Sequence, residues 1–135
     1  MNEKFNSQIC TTKEQSQRLL DLGLKPETAD MSHQYVEAEW DWFIFPCNWN
    51  SCMISEEHIP AWSLHRLLYC LMPNSVKDYY LAIYSGYVVT YDSLCGSSYE
   101  VCKDFNESLN IYDNIVDCIE WLIKGDYLNQ EYLKQ

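Results

Sequence analysis

The stretch YVEAEWDWFIF, residues 35–45, alternates: Val36, Ala38, Trp40, Trp42 and Ile44 fall on one side, and Tyr35, Glu37, Glu39 and Asp41 on the other. Successive side chains of an extended chain point to opposite faces, so a period of two over this length predicts one β-strand with a buried and a wet face. Past Asp41 both faces turn apolar, where the strand goes deeper into the core or leaves through a bulge. Pro46 ends it, and Asn48 and Asn50 supply a loop.

On the N-terminal side, residues 1–10 read as loose, and TTKEQSQRLLDLGLKP carries helix punctuation. Thr11 with Glu14, or Thr12 with Gln15, offers a capping box. Gln15, Leu19 and Leu22 share a face, Gly23 suits the left-handed position after a helix, and Pro26 suits the first position of a short turn.

On the C-terminal side, Ser63 is an N-cap for a helix whose Leu64, Leu67, Leu68 and Leu71 form a stripe that Pro73 stops. DYYLAIYSGYVVTYDS then reads as a hairpin. With Ser85-Gly86 as a two-residue turn, Tyr84 faces Tyr87, Ala82 faces Val89 and Tyr80 faces Tyr91. SSYEVCKDF adds a strand. A last helix has Asp113 as N-cap, a stripe of Ile111, Ile115, Cys118, Ile119 and Leu122, and Gly125 as its stop. The order α–β–α–β–β–β–α predicts one α+β domain over residues 1–135, an antiparallel sheet of about four strands with helices packed on one face. The strand at 35–45 joins that sheet at either edge.

Composition agrees with a single packed domain. The 135 residues are 47% apolar and include 20 aromatics, which excludes a disordered polymer. Acids outnumber bases 20 to 9, for a net charge of −11. Between Pro26 and His65 there is no Lys or Arg, whereas Glu27, Asp30, Glu37, Glu39, Asp41, Glu56 and Glu57 all fall there. Such a surface repels phosphate backbones and anionic bilayers, so direct nucleic-acid or membrane binding is not expected, and any protein partner should be basic. No apolar run reaches the ~20 residues that span a bilayer, and the N-terminus carries no signal-peptide core. Seven cysteines without regular spacing then imply free, mostly buried thiols in a cytoplasmic setting.

Little in the sequence resembles catalytic chemistry. Cys47 and Cys52 form a C-x₄-C pair followed by His58 and, further on, His65, but the tight second ligand pair of a zinc site is missing. Acidic surroundings also oppose a reactive thiolate at Cys47 or Cys52. Cys70 and Cys118, one on each long helix, read as core packing. Glu37, Glu39 and Asp41 read as a solvated strand face and not as a Mg²⁺ site, which would want a nearby cation or a further carboxylate. No phosphate loop or hydrolase motif is present. No catalytic, cofactor-binding or metal residue is therefore assigned, and no cofactor is expected. Tyr80, Tyr84, Tyr87 and Tyr91 suggest an interface or a packed sheet face, and with the hairpin edge they allow a homo-oligomer.

Three segments, KEQSQRLLDLGLKPETADM (13–31), PAWSLHRLLYCLMP (60–73) and NIVDCIEWLIKGDYL (114–128), resemble a family of small proteins of unknown function from Bacteroides-type gut bacteria and their phages and mobile elements. The resemblance includes both long helices and the hairpin, and it is weakest over residues 35–58. It implies a bacterial or phage cytoplasmic setting and no activity, cofactor or site residue. The expectation is a non-enzymatic, protein-binding accessory factor. The alternatives are an acidic DNA mimic that blocks a nucleic-acid-binding host protein, and a small metal protein or enzyme using Cys47, Cys52 and His58.

Overall fold

The computed structural model describes residues 7–47, 57–95 and 98–134, and its fold is α+β. Helix α1 (Lys13–Asp21) starts at the Thr12 capping box: Thr12 Oγ1 accepts from the Gln15 N–H, and the Gln15 side chain accepts from the Thr12 N–H. Gly23, at φ 104, takes the left-handed turn that ends it. A 3₁₀ turn at Pro26–Thr28 leads into β1 (Met31–Val36).

The stretch that opens the sequence reading is a hairpin and not one strand. β1 turns through a 3₁₀ loop at Glu37–Glu39 and returns as β2 (Asp41–Pro46), in register from Val36↔Asp41 to Met31↔Pro46. β3 (His58–Ala61) pairs with the other side of β1. The expected single sheet is therefore two antiparallel sheets, one of three strands in the order β2-β1-β3 and one of four. Glu37, Glu39 and Asp41 do not line a strand face; they ring a turn.

Ser63 caps the next helical segment, its Oγ accepting from the Arg66 N–H at 3.1 Å. From Arg66 to Leu71 this segment is a π-helix, closed by the Met72 N–H on the Leu67 carbonyl. Leu67 and Leu71 are buried as expected, whereas Cys70, about 110° round the helix from the centre of the leucine stripe, is exposed. The reading of Cys70 as core is thereby corrected, whereas Cys118 is fully buried.

The second sheet runs β4 (Ser75–Val76), β5 (Tyr79–Tyr84), β6 (Val88–Cys95) and β7 (Ser98–Phe105). Ser85 and Gly86 do form the β5–β6 turn, both at positive φ, and the Tyr87 N–H closes it on the Tyr84 carbonyl. Tyr87 is then one residue too many, and pairing resumes at Tyr84↔Val88. That single insertion moves every cross-strand partner: Leu81 faces Tyr91, and Tyr80 faces Asp92. Tyr91 consequently leaves the expected tyrosine face for the core, with its ring 5.8 Å from Trp121 and its hydroxyl on the Pro73 carbonyl.

Helix α2 (Ile111–Lys124) begins at Asn110, whose side chain accepts from the Tyr112 and Asp113 N–H groups. The expected cap, Asp113, is two residues inside the helix and accepts instead from Gln15 and Ser108. Ile115, Cys118, Ile119 and Leu122 are buried with Val89 and Tyr91, so α2 covers one face of the four-stranded sheet. Asn114 fastens the helix to the hairpin by donating to the Tyr87 and Ser108 carbonyls. Residues 132–134 pair with the turn that follows α1: the Lys25 N–H donates to the Tyr132 carbonyl, and the Lys134 N–H to that of Gly23. Among the described residues no helix is long and apolar enough to cross a membrane.

Candidate functional site

The β1–β2 turn is the most unusual surface of the molecule. Glu37, Ala38, Glu39, Trp40 and Asp41 are all exposed, and Trp40 is 84% exposed. Its backbone lies in the left-handed region at φ 54, a conformation that costs a bulky L-residue roughly 1–2 kcal/mol. The turn needs it: the Trp40 N–H closes the 3₁₀ loop on the Glu37 carbonyl, and the Asp41 carboxylate takes the next N–H, that of Trp42, at 2.7 Å. The chain therefore holds a strained tryptophan in water, at the apex of a hairpin, among carboxylates.

Glu57 joins this end of the sheet, its carbonyl accepting from the Tyr35 N–H. Glu37, Glu39 and Asp41 take part in no ion pair among the described residues. Lys13 reaches the same sheet further back, with its Nζ 3.9 Å over the Trp42 ring, which in turn meets Tyr35 edge-on. The result is an exposed indole among carboxylates, on a hairpin whose second cross-strand pair from the turn is Tyr35 and Trp42. Chemically, such a surface can bury the ring in an apolar notch while its carboxylates meet cations.

The cysteine and histidine candidates are not brought together. Cys47 lies beyond the end of β2 with its N–H on the Asp30 carbonyl, while His58 pairs with Gln34 on the opposite side of β1. Four residues along β1 and two strand spacings across it put their backbones about 16 Å apart. Bonds of ~2.0–2.3 Å to one ion cannot span that. His65 is exposed and stacks on Tyr69. Cys52 and Glu56 lie outside the described residues, among which no cluster of three metal-ligating side chains occurs. Burial, aided by the nearby Asp30 charge, pushes the Cys10 thiol up to about 11, and burial raises Cys118 as well. Both thiols stay protonated at neutral pH. Ser63 donates to the Asp30 carboxylate and caps its helix, while His33 Nε2 is bonded to the Thr11 carbonyl, so these three form no relay.

The open face of the four-stranded sheet holds a feature the sequence reading missed. Asp92 is buried there and accepts from Thr90 Oγ1 at 2.5 Å and from the Tyr99 hydroxyl at 2.9 Å. The hydrogen bond to Asp92, with some desolvation, holds the Tyr99 phenol well above its ordinary range. Tyr80, Tyr84, Tyr99 and Val101 surround this group and are exposed. Only the register shift at Tyr87 puts Asp92 opposite Tyr80, which is why strand alternation alone did not reveal the cluster.

Comparison of the chain with protein-family models, with curated proteins and with solved structures finds no match.

Proposed function

We propose that this chain is a non-enzymatic accessory protein that binds a basic protein partner through the Trp40 turn. The observation that carries this reading is Trp40 itself, 84% exposed and left-handed among Glu37, Glu39 and Asp41. Backbone strain and an exposed ring both cost stability in the free protein, and strained residues concentrate at sites of function. Burying roughly 200 Å² of indole is worth up to about 5 kcal/mol before the costs of association. The carboxylates around it would speed encounter with a cationic surface and reject acidic ones. The resemblance in residues 13–31, 60–73 and 114–128 supports a phage or mobile-element setting. The thiols of Cys10, Cys70, Cys102 and Cys118, none of them in a disulfide, support action in the cytoplasm.

Affinity purification with the wild-type chain, Trp40→Ala, and the triple variant Glu37→Gln/Glu39→Gln/Asp41→Asn tests the reading. The wild type should recover a basic protein that high salt releases, and both variants should lose it. Recovery of the same partner by all three would refute the assignment.

The convergence of Glu37, Glu39, Asp41 and Glu57 at one end of the sheet favours a second reading, in which the partner is a nucleic-acid-binding protein and the turn mimics phosphates. Under that reading an oligonucleotide displaces the chain from its partner; under the first it does not.

A further inference from the structure

The four-stranded sheet has an edge that its own last strand does not cover. β4 pairs only as Ser75↔Tyr80 and Val76↔Tyr79, and just beyond it the Leu81 N–H donates to the Asn74 carbonyl at 3.0 Å. Backbone groups of an antiparallel strand turn alternately to its two sides. Ile83, two residues past Leu81, therefore directs its N–H and carbonyl outward on the same side, with no described strand opposite. Facing it instead are Leu68 and Tyr69 of the π-helical segment, across a groove of about 350 Å³ that Asn74, Tyr80 and Leu81 also line. Native edges are normally blunted by Lys, Pro or a bulge. Tyr79–Tyr84 reads YYLAIY and has none of these.

We propose that this groove accepts an extended, uncharged peptide segment of a partner protein as an additional strand on β5. The outward N–H and carbonyl of Ile83, next in line after the bonded Leu81, are matched by an extended backbone that continues the β4 ladder. The walls favour one inserted strand, with a sheet edge on one side and a helical segment on the other. Alternate side chains of the guest would lie between Leu68 and Leu81, and the others over Tyr80 and Tyr84. Among the described residues no charged side chain lines the groove, although the chain carries −11, so the segment taken is apolar and uncharged. Area argues against a second copy. The exposed parts of Tyr69, Tyr80 and Tyr84 come to about 400 Å² at ~200 Å² per ring, half of what one side of a standard interface contributes. That suffices for a short peptide and falls short of a stable dimer. This surface is separate from the Trp40 turn, so either proposal can fail without the other.

The test uses the ¹⁵N-labelled full chain and an end-capped hexapeptide of alternating valine and threonine. Addition of the peptide should shift the amides of Leu68, Tyr69 and Leu81–Tyr84 and slow hydrogen exchange at Ile83. N-methylation of the peptide residues on its bonding side should weaken binding about tenfold or more, and methylation on the other side should not. Ile83→Pro removes an outward donor and leaves the β6 ladder intact, so it should fold and lose the peptide. Trp40→Ala should keep it. If Ile83→Pro does not fold, the paired methylated peptides still decide. The proposal is overturned by an absence of shifts at millimolar peptide or by equal binding of both methylated forms. Concentration-dependent shifts of the same amides without peptide would overturn it in favour of self-pairing.

Discussion

The two sheets end in opposite kinds of surface. The three-stranded sheet presents a charged knob, Trp40 among carboxylates, whereas the four-stranded sheet presents a neutral edge and an aromatic face around a sequestered Asp92. The contrast follows from how each sheet is covered. α2 packs one face of the larger sheet and leaves the other to tyrosines, which tolerate both water and contact. The smaller sheet meets α1 through β3, and the residues of its hairpin turn, Glu37–Asp41, are exposed. Charge then separates what each can accept: binding at the knob should weaken with salt, because exposed charges are screened over about 10 Å at 0.1 M, while strand addition at the neutral edge should not.

Mutations can break this comparison, and the largest effect lies within the four-stranded sheet. Tyr91→Ala should cost about 3–5 kcal/mol in chemical denaturation, since it empties a fully buried site, whereas Tyr80→Ala on the open face should stay within about 0.5 kcal/mol. Equal effects would restore the two-residue register in which both rings share a face.

A smaller loss should appear on raising the pH. The Cys10 thiol has its folded pKa raised from 9.0 to about 11 by burial, so the unfolded chain releases this proton first. The stability this thiol contributes is complete below pH 9 and is lost between pH 9 and 11. A melting temperature that holds constant across that window, relative to Cys10→Ala, would contradict the buried placement. Alkylation at neutral pH should mark exposed Cys70 well before Cys10 or Cys118.

The smallest effect belongs to the knob. Trp40→Gly relieves the left-handed strain and should leave stability unchanged or raise it by up to about 1 kcal/mol. A clear loss would show that Trp40 packs in the fold and is not held out for a partner.

What the sequence made legible were features with local chemistry. Thr12, Ser63 and the α2 stripe announce themselves through capping groups and a 3.6-residue period, and the Ser85-Gly86 turn through its glycine. The β1–β2 turn was not legible, because Glu-Ala-Glu-Trp contains no Gly, Asn or Pro and continues the period of two through the reversal. Tertiary pairing with β3 and the Trp40 conformation override that pattern. The hairpin faces were missed by one residue because an inserted Tyr87 leaves no sequence signature. The exposure of Cys70, by contrast, was legible, because that residue lies off the leucine stripe at 3.6 residues per turn. Of Cys47, Cys52 and His58, Cys52 lies outside the described residues, and Cys47 and His58, though close in sequence, fall on opposite sides of β1.

The most direct test of the account is the affinity of the recovered partner for the wild-type chain and for Trp40→Ala, measured by titration at low and high salt. An exposed tryptophan that anchors an interface should give a loss of at least about 30-fold on truncation, with the melting temperature unchanged and the wild-type affinity falling as salt rises. Equal affinities for the two chains, independent of salt, would contradict it.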